Sequence, residues 1–257
     1  PTVSTATGKT ISWTAANPGY VGAAVTAREV QISTRSDFTA ATTVTTSSGV
    51  ATELPYNTFV YLRQRIQNAV GWSSWSETNV SRTTFAPPSA PTGTSAFDIA
   101  STSAGINGGA IADNGGMAPS DQSVEYNTIA SSVGSKIVTS GVWGRTLLTG
   151  LVKGTLYYYR VKAYNNGLGG GWGPESAWSS FTTRANVPNE PTGLTVSEIG
   201  DNTARFDWIL PSQLNGSIHL NTFIRISRDR AATDIVEEIT LPANTVAQII
   251  TSLKPST

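Results

Sequence analysis

The residue types that carry catalysis are thinly spread in this chain. His219 is its one imidazole and there is no Cys. The imidazole falls in the loop expected between two strands, residues 210–221, with no Ser or Asp in a recognisable nucleophile arrangement, so it reads as a solvated loop histidine. Glu237 and Glu238 are adjacent. In an extended segment adjacent side chains point to opposite faces, so this pair cannot share a substrate as paired acid and base. Asp113-Asn114-Gly115-Gly116 begins like a calcium loop but lacks further acidic ligands at regular spacing, which leaves a turn. Gly167-Leu168-Gly169-Gly170-Gly171-Trp172-Gly173 matches a phosphate cradle only in glycine content. Pro174 follows it, and no helix start is present to receive an anion. The sequence therefore offers no catalytic residue, no cofactor-binding residue and no metal ligand set.

Binding chemistry is better represented, through aromatic side chains. Trp172 stands on a glycine-rich insertion, and burying an indole recovers roughly 4–6 kcal/mol from about 150–250 Å² of apolar surface. A ring held out on a free loop forgoes that. Either Trp172 folds back on its own or a neighbouring unit, or it is displayed to a sugar ring or a protein. Tyr20 and Trp72 are candidates for an equivalent patch nearer the N-terminus, with simple packing as the alternative. Arg63 and Arg65 lie on one strand face with Tyr61, and Arg225, Arg228 and Arg230 cluster later; both groups read as solvated faces whose stems cover apolar area. Asn79-Val80-Ser81 and Asn215-Gly216-Ser217 fit the glycosylation acceptor pattern, which such triplets also meet by chance.

Composition narrows the classes of partner. The 257 residues carry 17 Lys+Arg and 17 Asp+Glu, only 13% charged residues in all. With five Lys and no net charge the chain lacks the basic footprint that phosphate backbones or anionic headgroups need, which argues against nucleic acid and against membrane attachment. No apolar run is long enough to span a bilayer as a helix, so membrane insertion is not expected. The first residues lack a signal peptide's basic and apolar regions, and a start at Pro1 suggests a processed or partial product. The 39% of hydrophobic residues, with seven Trp and eight Tyr, suffices for packed cores.

The elements that must position these side chains repeat. Pro88, Pro91, Thr92 and Gly93 recur 100 positions later as Pro188, Pro191, Thr192 and Gly193. Arg63 and Asn68 recur as Arg160 and Asn165, and Trp75-Ser76 as Trp178-Ser179, the change of offset marking an insertion between Asn165 and Trp178. Within the repeats the apolar period is two: Tyr157, Tyr159, Val161 and Ala163 alternate with Tyr158, Arg160, Lys162 and Tyr164, as in half-buried strands. Asn17-Pro18-Gly19, Asn166-Gly167 and Asn215-Gly216 supply turns. The spacing predicts three short-stranded sandwiches over residues 1–87, 88–187 and 188–257, joined at Pro87-Pro88 and Pro188. Proline at short, polar joints predicts a rod of sandwiches that unfold separately, with little buried between them.

Trp13 and Trp208, the stretches Gly154 to Gly167 and Asn57 to Gly71, and the trailing WSSWS and SAWSS together resemble tandem fibronectin type III modules over nearly the whole chain. The resemblance implies Greek-key sandwiches in which the Tyr157 hydroxyl binds back to the preceding loop, a tyrosine corner. Val60 occupies the matching register in the first unit, and Ile106 or a neighbour stands where the second unit would place its core Trp. The third unit is expected to be incomplete, stopping before its last two strands and so belonging to a longer polypeptide. Low charge, abundant Thr, Ser and Gly, and the absence of Cys resemble modules of bacteriophage tail proteins. On that resemblance the chain is a non-enzymatic spacer and interaction arm of a tail or tail tip, located in the virion, whose partners are other tail subunits, further copies of itself, or cell-surface glycans. The alternative is a spacer of a secreted bacterial polysaccharide-degrading enzyme or an adhesin at the bacterial surface.

Overall fold

A computed structural model describes residues 1–16 and 24–254. Tyr20 and the Asn17-Pro18-Gly19 turn lie outside the described residues. Among those described, all regular structure is β, and the strands build three consecutive fibronectin type III-like sandwiches.

The first eight strands are β1 (Thr2–Thr7), β2 (Thr10–Thr14), β3 (Ala27–Ser33), β4 (Thr42–Val44), β5 (Ser48–Ala51), β6 (Phe59–Asn68), β7 (Gly71–Trp72) and β8 (Asn79–Arg82). They form one sheet in the order β1-β2-β5 and another in the order β4-β3-β6-β7, with β8 also pairing β6. Alternation decides which side chains close the core: Ile11 and Trp13 of β2, Val30 and Ile32 of β3, and Val60 and Leu62 of β6 are all buried together. The next eight repeat the plan: β9 (Ser95–Phe97), β10 (Ser103–Asn107), β11 (Asp121–Asn127), β12 (Lys136–Thr139), β13 (Arg145–Thr149), β14 (Leu156–Asn165), β15 (Gly171–Trp172) and β16 (Ser179–Thr182). Their sheets run β13-β10-β9 and β12-β11-β14-β15, with β16 on β14. Alternate residues of β14 from Tyr157 to Asn165 are buried, the period-two pattern legible in the sequence. Ile106 is fully buried on β10. Its register, opposite Ala96, is that of Phe206 opposite Val196 in the third sandwich, and Trp208 lies two residues further along its strand.

The tyrosine corner forms as the resemblance implied. The Val152 N–H donates to the Tyr157 hydroxyl at 3.0 Å, and Phe181 stacks on the same ring with centroids 5.8 Å apart. Val60 takes that register in the first sandwich and is fully buried. The last strands, β17 (Thr192–Ser197), β18 (Ala204–Ile209), β19 (Asn221–Ser227), β20 (Ile235–Pro242) and β21 (Ala247–Ile250), form the sheets β17-β18-β21 and β19-β20. Their order matches the first five strands of the sandwiches before them.

The residues group into two compact units, Pro1–Phe97 with Gly105–Leu147 and Tyr158–Ser179, and Asp98–Ala104 with Leu148–Tyr157 and Ser180–Thr257. Each contains one of the joints between consecutive repeats.

Candidate functional site

The sheet face of β6 carries the main aromatic surface of the first unit. Arg63 and Arg65, two residues apart on one strand, project to the same side. The chain after β7 runs back along β6, held by paired bonds: Ser73 N donates to Ile66 O at 2.9 Å while Ile66 N donates to Ser73 Oγ at 3.2 Å. Ser76 and Gln64 repeat this, at 2.8 and 3.0 Å. Serine hydroxyls thus accept where a regular ladder would offer carbonyls. The three-residue spacing then lays Trp72 and Trp75 over the arginines. The Arg63 guanidinium lies 4.0 Å from the Phe38 ring centroid and 4.7 Å from that of Trp75; Arg65 lies 4.6 Å from Trp75 and 4.7 Å from Trp72. The order is Trp72, Arg65, Trp75, Arg63, Phe38, with Arg65 also bonded to Glu29 at 2.6 Å and Arg63 to Gln31 at 2.8 Å.

This corrects the reading of Arg63 and Arg65 as a solvated face. Both guanidinium planes are covered by rings, a contact worth about 0.5–2 kcal/mol depending on desolvation. The spacing of Trp72 and Trp75 against Arg63 and Arg65 carried the signal, but only the antiparallel return of the chain makes them neighbours.

The second sandwich bears a shorter version. Arg160 lies 4.9 Å from the Trp178 ring and bonds Glu125 at 2.6 Å. Burial pushes the Glu125 carboxyl up, but hydrogen bonds from Ser135, Arg160 and Ser132 together with the Arg160 charge outweigh it and hold it below its ordinary value. Trp172 packs against the Tyr164 ring at 5.1 Å, with the Lys162 ammonium 5.4 Å from its centroid. Trp172 and Trp72 share the same place on β15 and β7, and each is 38% exposed. Neither is free of the sheet, and each leaves part of its indole open to solvent.

The glycine-rich segment before and around Trp172 has a second role, at the first joint. A Cβ placed on Gly167 would lie 2.4 Å from the Phe85 ring, and one on Gly173 would lie 2.1 Å from Pro88 O. Phe85 N donates to Leu168 O at 3.0 Å. From the other side, the Asp113-Asn114-Gly115-Gly116 turn closes on the same linker. Ala86 N donates to Gly115 O at 3.0 Å, and the buried Asn165 amide donates to Ala86 O at 2.8 Å and to Asn114 O at 2.9 Å. Gly115 has φ +71° and a Cβ there would fall 1.7 Å from Ala86 O; on Gly116 it would fall 2.4 Å from Tyr56 Cβ. The Tyr56 hydroxyl donates to Asp113 at 2.8 Å, and Lys9 reaches the same carboxylate at 3.6 Å. Bonds from the Gly115 N–H and then from Tyr56, with the Lys9 charge, hold the Asp113 carboxyl below its ordinary value.

The expectation of sparse joints therefore fails here. Sequence suggested few residues able to bury an apolar interface; glycine lets backbone approach backbone closely enough to bond, and leaves room for the Phe85 and Tyr56 side chains. The second joint repeats the scheme. Asn186 N donates to Asn215 O at 2.9 Å and Asn189 N to Gln213 O at 3.0 Å, as Ala86 N does to Gly115 O and Ser89 N to Asp113 O, each partner 100 residues earlier. A Cβ on Gly154 would meet Gly216 Cα at 2.3 Å. Asn215 is fully engaged, its amide donating to Val187 O at 2.6 Å and its oxygen accepting from Lys153 at 3.3 Å, so a glycan there would dismantle the joint.

His219 sits in its loop with Nε2 3.0 Å from Asn221 O and Nδ1 accepting from Asn244 N at 3.2 Å. Glu238 bonds Arg225 at 2.6 Å, whereas Glu237 bonds Ser252. Arg228 pairs with Asp234 at 3.3 Å. Among the described residues no three His, Cys, Asp or Glu side chains converge on a point that could hold a metal ion.

No protein-family model matches the chain. It is 40% identical over 62 residues to the human neural cell adhesion molecule L1-like protein, and 46% identical over 55 residues to mouse contactin-5. These stretches are 24% and 21% of this chain and 5% of each relative, so the chain spans a small fraction of the proteins it matches. Among solved structures, the chicken CNTN1 FN1-FN3 domains are similar at 16% identity with a TM-score of 0.39, over 99% of this chain and 87% of that one.

Proposed function

We propose that the chain is a non-enzymatic spacer whose joints are held in one geometry, and that its repeated sheet faces are presented to protein partners in a secreted or surface-exposed assembly. The observation that carries this is the joint: the same pair of main-chain bonds recurs 100 residues apart, each packed around an Asn-Gly or Gly-Gly turn. A tether that only connects has no use for it. Trp72 and Trp172, each with part of its indole in water at matching places, are the contact residues we assign to those faces; Tyr20 is retained as a third from its sequence position alone. The stretches shared with the L1-like adhesion molecule and contactin-5 support a role of the adhesion type. The low charge and the absence of Cys support a second host, a bacteriophage tail in which the partners are tail subunits. Immunogold labelling of tails or of cell envelopes separates these hosts.

The spacer reading is tested by distance. Because the chain has no Cys, Ser36→Cys and Ala130→Cys can carry two spin labels on exposed loops of the first unit. A single narrow distance distribution is expected, broadening when four glycines are inserted between Pro87 and Pro88. A distribution equally broad without the insertion would overturn the reading.

A further inference from the structure

The first sandwich contains a cleft of about 390 Å³ that opens between β4 and β5. Among the described residues each of these strands is paired on one side only, β4 with β3 and β5 with β2, so unpaired main-chain groups flank the opening. Trp13, Ile32, Val44 and Leu54 supply apolar walls, Thr42 and Thr52 supply hydroxyls, and among the described residues no charged one lines it. The Trp13 side chain is 2% exposed, and its Nε1–H has no hydrogen-bond partner among the described residues. A Cβ built on Gly49, which also lines the cleft, would stand 3.4 Å from that nitrogen and 2.7 Å from Cζ2, so the nitrogen-bearing edge of the indole borders the β5 side.

These features specify an occupant. A buried donor without an acceptor is costly, and the remedy is an oxygen brought from outside. Apolar walls ask for an apolar body attached to it, and the absence of charge excludes an ionised group, which would lose hydration without compensation. The volume lies within the usual range of small ligand sites, and free strand edges on both sides favour an extended peptide over a flat ring system. We propose that this cleft receives an uncharged, branched apolar side chain of a protein partner together with its neighbouring main-chain carbonyl, which accepts from Trp13 Nε1. This goes beyond the spacer reading and does not depend on the joints.

The whole chain, labelled with nitrogen-15, is titrated with N-acetyl-leucine N-methylamide while the indole N–H signals are followed. A saturable shift is expected at Trp13, with smaller ones at the amides of Gly49 and Ala51 and none at Trp172. Ala51→Leu, which fills the cleft from β5, should weaken binding at least about tenfold. Trp13→Phe, read at the Gly49 amide, should weaken it roughly fivefold, the value of one hydrogen bond. If that variant fails to fold, Ala51→Leu decides alone. Absence of a saturable shift at Trp13 would mean that the cleft holds only water, and an undiminished shift in Ala51→Leu would place the ligand elsewhere; either result overturns the proposal.

Discussion

Replacing Gly115 by Ala should open the first joint, and the size of the effect follows from two separable costs. Gly115 has φ +71°, where an L side chain is strained by about 1–2 kcal/mol. Its added Cβ would also lie 1.7 Å from Ala86 O, a contact that backbone cannot relieve without moving away. Three hydrogen bonds go with that movement: Ala86 N to Gly115 O at 3.0 Å, Asn165 to Ala86 O at 2.8 Å, and Asn165 to Asn114 O at 2.9 Å. At about 1 kcal/mol net for each, the loss is about 3 kcal/mol beyond the strain. Gly134 is the control, with φ +72° and no atom within 4 Å of the place a Cβ would take, so Gly134→Ala carries the strain alone. Urea unfolding followed through the amides of β11 and β14 should show Gly115→Ala about 3 kcal/mol less stable than Gly134→Ala. A difference under about 1 kcal/mol would refute the view that these bonds hold the joint.

Tyr157→Phe removes the acceptor of the Val152 N–H and should cost the second sandwich about 1–3 kcal/mol in thermal or urea unfolding. Trp13→Ala should cost its sandwich about 3–5 kcal/mol, since the ring is 2% exposed, whereas Trp172→Ala, with its ring 38% exposed against Tyr164 and Lys162, should cost under half as much by the same measurement. The Asp113 carboxyl is depressed in the folded chain below its ordinary value of 3.8, so its contribution is complete above that value and is lost as pH falls through the lower folded one. Stability measured between about pH 5 and 2 should therefore decline less steeply in Asp113→Asn than in the unsubstituted chain.

The strands, their turns and the class of fold were legible in the sequence because each is specified within a few residues. The alternation from Tyr157 to Ala163 fixes which side of β14 is buried, and the register that sets Val60 against Tyr157 anticipated which sandwich would have the hydroxyl of a tyrosine corner. The joints and aromatic faces were hidden for the opposite reason. Asp113 meets Tyr56 across 57 positions and Asn165 meets Ala86 across 79, separations that no local pattern encodes. Glycine is the extreme case, since in Gly115, Gly116 and Gly173 the informative feature is the absence of a side chain, and that acquires meaning only where a distant backbone, or for Gly116 the Tyr56 side chain, occupies the space. The arginines of β6 show the same limit: their spacing places them on one face, but whether that face meets water or the rings of Trp72 and Trp75 depends on how the chain returns after β7. Tertiary structure likewise decided that the Trp13 indole, placed in the core by its strand position, ends beside a cleft with its N–H unpaired among the described residues.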